Sequence, residues 1–63
     1  MYLKFTTKRD INGNRYTLEI DTDKKTYIRD YNTSNYYGDY ITITKRDREK
    51  LAAELENAGY KRI

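Results

Sequence analysis

From Tyr2 to Arg9 polar and apolar side chains alternate, then the chain meets Asp10-Ile11-Asn12-Gly13-Asn14 and a second alternating stretch runs from Arg15 to Ile20. Asn-Gly between alternating segments is the strongest short-range hairpin signal, because both residues tolerate the positive φ of a type I′ turn. With Asn12-Gly13 as a two-residue loop, Ile11 faces Asn14, Thr7 faces Leu18 and Phe5 faces Ile20. One face then carries Leu3, Phe5, Tyr16, Leu18 and Ile20, and the other Tyr2, Lys4, Thr6, Lys8, Arg15, Thr17 and Glu19. The separation into an apolar and a polar face supports this arrangement.

The second turn, Asp21-Thr22-Asp23-Lys24-Lys25, fits a three-residue loop with Lys24 in the left-handed region. Pairing Asp21 with Lys25 sets unlike charges opposite each other and places Ile28 across from Leu18, in the core. Tyr27, Arg29 and Tyr31 then point to the other face. A two-residue loop at Asp23-Lys24 reverses this and buries Tyr27 instead; the charge pairing favours the first arrangement.

A fourth strand from Asp39 to Thr44 offers Ile41 and Ile43 to the core and leaves Tyr40 and Thr42 outside. Thr44 has the character of a helix N-cap, with Asp47 placed three residues on, and the helix runs to about Asn57. Leu51, Leu55 and Ala58 give it an apolar stripe, and Gly59 is a good stop. Tyr60 and Ile63 fold back against the core edge. The expected fold is α+β: a four-stranded antiparallel β-meander with one C-terminal helix packed on one face, ββββα, in a single domain spanning residues 1–63.

A chain of 63 residues buries only about 60% of its unfolded surface, so its core is thin. With no cysteine and no histidine, neither a disulfide nor a zinc site supplements it. Eight tyrosines, eight threonines and six isoleucines nevertheless favour a folded sheet over disorder. The longest apolar run is Leu51-Ala52-Ala53, too short for a signal peptide or a membrane span. These features suit a cytoplasmic protein with no membrane partner.

Catalysis finds little to work with: no histidine or cysteine, a lone serine at Ser34, no working carboxylate pair and no phosphate-cradling glycine motif. Asp10 to Asn14 has the wrong glycine position for a calcium loop. No cofactor is expected. A small non-enzymatic binding module remains.

Its candidate surface is the face left open by the single helix. Tyr2, Tyr27, Tyr31 and Tyr40 lie there, interleaved with Lys4, Lys8, Arg15 and Arg29, with Tyr36 and Tyr37 in the loop at its end. Single-stranded nucleic acid is held by bases stacked on aromatic rings while cations track the phosphates, and this face meets both needs. The net charge of +3 permits an anionic partner without requiring one. Glu19 and Asp21 on the same face oppose phosphates. Two other readings stay open: tyrosines that only pair across a wet sheet, and an aromatic interface for a protein partner of a phage- or mobile-element-type inhibitor. A homodimer would also cover such a face. In element order, four strands and then a helix, the chain resembles the positive-cofactor family of single-stranded DNA binders, which bind on a sheet and dimerise; the resemblance carries over no residue.

Overall fold

The computed structural model describes residues 1–32 and 39–63, with the side chains of 31 and 32 set aside. The elements are β1 (Tyr2–Thr6), β2 (Arg15–Asp21), β3 (Thr26–Asn32), β4 (Ile41–Thr42), α1 (Lys45–Asn57) and β5 (Lys61–Arg62). They form one five-stranded mixed sheet in the order β4-β1-β2-β3-β5, with a single helix among the described residues. The fold is α+β, as the patterning predicts, but it is not a meander. β4 leaves β3 and pairs parallel to β1 at the opposite edge, and β5, an element the alternation does not reveal, pairs parallel to β3. The element order that carried the resemblance to the positive-cofactor family is therefore not the one observed.

The first hairpin closes differently from a two-residue loop. The Asp10 carboxylate accepts from the amides of Asn12 and Asn14, both at 2.9 Å. The Gly13 amide donates to Asp10 O at 3.0 Å and the Asp10 amide to Asn14 O at 2.9 Å. Gly13 sits at φ 81, so the turn is a three-residue loop ending in a left-handed glycine. Between this loop and β1 one further residue is taken up, where the Thr7 amide donates to Tyr16 O and Thr7 Oγ1 accepts from the Tyr16 amide, so Phe5 faces Leu18 and Leu3 faces Ile20. That is a slip of two residues from the expected register, and because side chains alternate with period two, both faces keep their members.

In the second hairpin the slip is of one residue, and every side chain of β3 changes face. Asp21 pairs with Thr26, Ile20 with Tyr27 and Leu18 with Arg29. The Asp21 carboxylate holds the amides of Asp23 and Lys24 at 3.0 and 3.1 Å, and the left-handed residue is Lys25 at φ 55 rather than Lys24. Thr22 is tied to Met1 O through both its amide and its hydroxyl. The loop thus spans four residues, and the expected placement of Ile28 in the core and of Tyr27 and Arg29 on the open face is corrected. Among the described residues Tyr27 is the largest fully buried side chain, at 1% exposure, while Ile28 is half-buried on the other face. An aromatic ring removes more apolar surface from water than isoleucine does, and the Tyr27 hydroxyl reaches Glu56 at the core's margin.

The helix begins where the sequence places it, with Thr44 Oγ1 accepting from the Asp47 amide at 3.0 Å. It ends in a Schellman motif: the Tyr60 amide donates to Leu55 O and the Gly59 amide to Glu56 O, with Gly59 at φ 90. Its buried positions are Arg48, Ala52 and Leu55, with Leu51 half-buried and Ala58 exposed, so the sheet-facing stripe is rotated from the expected Leu51, Leu55 and Ala58. The core consists of Leu18, Ile20, Tyr27, Ala52 and Leu55, with Leu3, Phe5, Leu51 and Tyr60 packed against it. Ile41 (55% exposed) and Ile63 (76%) do not join it, which corrects their expected places.

β1 and β3 run the same way, so β4 and β5, each parallel to one of them, are parallel to each other. β4–α1–β5 is then a crossover spanning the whole sheet. A helix of 13 residues is about 20 Å long, and four inter-strand steps measure about 19 Å. The helix is the length needed to carry the chain from one edge to the other.

The Asp10 turn makes a pH prediction. Chiefly the Asn14 amide, and behind it the Asn12 amide, the Tyr16 hydroxyl and Lys45, hold the Asp10 carboxyl below its ordinary range, against a smaller opposing effect of burial. A pKa lowered on folding means the contribution is whole above the ordinary carboxylate range and is lost as pH falls through the depressed value. In an acid titration followed by NMR, the amide shifts of Asn12 and Asn14 should move together below about pH 4. In Asp10→Asn that joint transition should be absent.

Candidate anion-binding site

The structure disperses the residues that the sequence groups on one face. Lys4 and Tyr40 do lie on the open face, where Lys4 Nζ stands 5.7 Å from the Tyr40 ring centroid. Arg15, half-buried, starts β2 opposite Asn32, and Lys8 is exposed beyond the end of β1. Tyr27 is in the core, and Arg29 is on the helix side, paired with Glu49. Tyr31 lies opposite Tyr16 by its backbone; its side chain, with Tyr36 and Tyr37, is outside the described residues.

The open face is not the basic platform that was expected. At its centre Glu19 accepts from two tyrosine hydroxyls, Tyr2 at 2.8 Å and Tyr40 at 2.7 Å. The first of these bonds is the main cause of the raised Tyr2 pKa. Thr6 and Thr17 beside it are buried. By register, Lys4 and Arg15 share this face with Glu19, Asp21 and Asp30, so its described charges do not favour an anion.

The cations gather on the helix side instead. An open cleft of about 380 Å³ between α1 and the β2–β3–β5 part of the sheet is lined by Tyr16, Arg29, Asp30, Arg48 and Arg62. The one-residue slip of β3 brings Arg29 here, and the parallel pairing of Arg62 with Tyr27 adds the third arginine. Arg48, 5% exposed, anchors the group. Its Nε donates to Thr17 O at 3.0 Å, Nη2 to Asp30 O at 3.1 Å and Nη1 to Glu49 Oε1 at 2.8 Å. Arg29 binds the other oxygen of Glu49, and Arg62 Nη2 donates to Arg29 O at 3.4 Å. Tyr16 forms a wall, with the Arg48 guanidinium 5.5 Å and Lys45 Nζ 4.5 Å from its ring centroid and its hydroxyl on Asp10 at 3.3 Å.

The electrostatics show how crowded these cations are. Burial first, and the positive Arg29 second, push the Arg48 guanidinium below its ordinary value, with Glu49 pulling the other way. Arginine keeps its charge even so. Burial pushes the Glu49 carboxyl up, but the hydrogen bond and charge of Arg29, with those of Arg48, outweigh it and the net shift is downward. One carboxylate serves two guanidiniums, and Arg62 and Lys45 stand beside them. Such a site suits a phosphate or carboxylate group bound by forked N–H donors. Among the described residues no three carboxylates converge to hold a metal ion, and no helix is long and apolar enough to cross a membrane.

Of this site the sequence reading finds Arg29 and misses Tyr16, Lys45, Arg48 and Arg62. Comparison with family models, with curated proteins and with solved structures finds no match to this chain. The site is therefore read from its own geometry.

Proposed function

We propose that this chain is a small non-enzymatic binding module for single-stranded nucleic acid, with the helix-side arginine cleft as its phosphate-binding site. The observation that carries the reading is the convergence of Arg29, Arg48 and Arg62 on one open cleft where Glu49 is shared between two of them. A phosphate entering the cleft replaces Glu49 as the partner of Arg29 and of Arg48 Nη1 and reaches Arg62, while Arg48 stays fixed by its two backbone carbonyls. A flexible single strand fits a crease between helix and sheet better than a rigid duplex does. The outer surface of α1, with Asp47 and Glu54 exposed among its lysines and arginines, lacks the uniform charge of a groove-reading helix.

Fluorescence anisotropy with a labelled mixed-sequence oligodeoxynucleotide tests this. Three phosphate contacts on a single strand give a log–log salt slope of about −2, so affinity should fall by about twentyfold between about 50 and 200 mM salt. The double variant Arg29→Ala/Arg62→Ala should bind much more weakly and with a slope of about −0.7. No saturable binding at low salt, or a double variant that binds like the parent, would sink the reading. Capture of a protein that survives both nuclease and high salt would point to a protein partner instead.

A further inference from the structure

We infer that β4 is a self-pairing edge, through which two copies of this chain join their sheets antiparallel about a two-fold axis at Thr42. The inference is independent of the arginine cleft.

The Ile43 amide is used inward, donating to Thr6 O at 2.8 Å. Backbone N–H and C=O groups alternate sides along a strand, so those of Thr42 point away from β1. In the described sheet β4 is an edge strand, with no further strand on that side. Natural edges are guarded by charge, proline or brevity. β5 at the other edge is Lys61–Arg62, two cations. β4 is brief in the single chain, two residues, but from Tyr40 to Thr44 the sequence YITIT holds no charge and no proline and is rich in β-branched residues, so a partner strand can lengthen it.

The sequence of this edge also selects its partner. A residue whose N–H and C=O both point outward can exchange two hydrogen bonds with its own copy across a two-fold axis. With Thr42 facing Thr42 of the second copy, Ile41 faces Ile43 of the second copy and Tyr40 faces Thr44 of the second copy. Ile41, paired with Phe5 on the helix side yet 55% exposed, gains a second apolar neighbour on its open side. Beyond the paired strands, exposed Asp39 lies towards Lys45, the first helical residue of the second copy, unlike charges meeting twice about the axis. This register sets threonine against threonine and isoleucine against isoleucine at its centre and brings opposite charges to its ends.

Sedimentation velocity from micromolar to near-millimolar concentration tests it. The parent should shift from 7.6 kDa towards twice that mass as concentration rises. Thr42→Pro removes the outward N–H and leaves the Ile43 bond to β1 intact, a position where edge strands accept proline. It should remain monomeric with an unchanged circular dichroism spectrum. Ile41→Lys, at an exposed site, should do the same and serves if the proline variant fails to fold. In a mixed isotope-labelled sample the α-protons of Ile41 and Ile43 should show an intermolecular cross-peak, since they form the close non-hydrogen-bonded pair. A parent that stays at 7.6 kDa throughout, or a well-folded Thr42→Pro or Ile41→Lys variant that dimerises like the parent, overturns the inference.

Discussion

Tyr27→Ala is expected to leave the chain largely unfolded at room temperature, whereas Ile28→Ala one position along should fold and melt only a little below the parent. Tyr27 is 1% exposed beneath α1, and truncating a buried aromatic costs about 3–5 kcal/mol. A domain of this size has roughly 3–9 kcal/mol in total, so the loss is comparable with the whole. Tyr27→Phe separates the ring from its hydroxyl: losing the bond to Glu56 should cost about 0.5–1.5 kcal/mol and no more. Urea denaturation of the three variants checks the order. If Ile28→Ala proved the damaging one, β3 would be in the register that a three-residue turn imposes.

The second large effect belongs to Arg48. Arg48→Met keeps most of the apolar stem but removes the guanidinium's bonds to Thr17 O and Asp30 O, carbonyls that keep other partners (Thr17 Oγ1 also donates to Asp30 O at 3.3 Å), at about 1.5–3 kcal/mol for each bond to the charged donor. Arg48→Lys should recover little of this. An ammonium is a point donor on a flexible stem and cannot reproduce a planar fork spanning two carbonyls and a carboxylate. Denaturation midpoints of both variants, with unchanged m-values, measure the cost. A methionine variant as stable as the parent would mean that water serves the two carbonyls equally well.

These two residues also mark where the sequence stopped being legible. Asn12-Gly13 announces a hairpin, and the faces survive the wrong loop length because a second extra residue between Asp10 and Thr7 makes the register error two, and the pleat repeats every two. Nothing comparable guards the second hairpin. Tyr27-Ile28-Arg29-Asp30 offers one apolar residue to either face, so alternation cannot choose. The choice falls to the Asp21 carboxylate, whose grip on two amides lengthens the turn by one residue. β4 is visible as a β-branched run, but its pairing to β1 is a long-range event with no local trace. Lys61-Arg62 has no apolar content to betray a strand at all. The site follows the same pattern. Arg29 is evident as a cation but not as a helix-side one, and Arg62 depends on an unseen strand. Arg48 did leave a signal: with Ala52 and Leu55 it lies at i, i+4 and i+7, so a helix burying those two must bury an arginine with them.

The crossover has a bearing on how the molecule comes apart and reassembles. β1, β2 and β3 meet through neighbouring turns, contacts that a chain finds quickly because only short loops must close. Both outer strands are delivered by the C-terminal segment and are held to the sheet over two residues each. Opening of that segment as one unit would free β4, α1 and β5 together while the inner three strands stay paired, a partial unfolding distinct from global loss of structure. Arg48 and Arg62 travel with the opened part and Arg29 stays behind. The arginine cleft therefore exists only in the fully closed molecule, and a ligand that bridges these arginines would act as a clasp on the C-terminal segment, slowing its exchange with solvent.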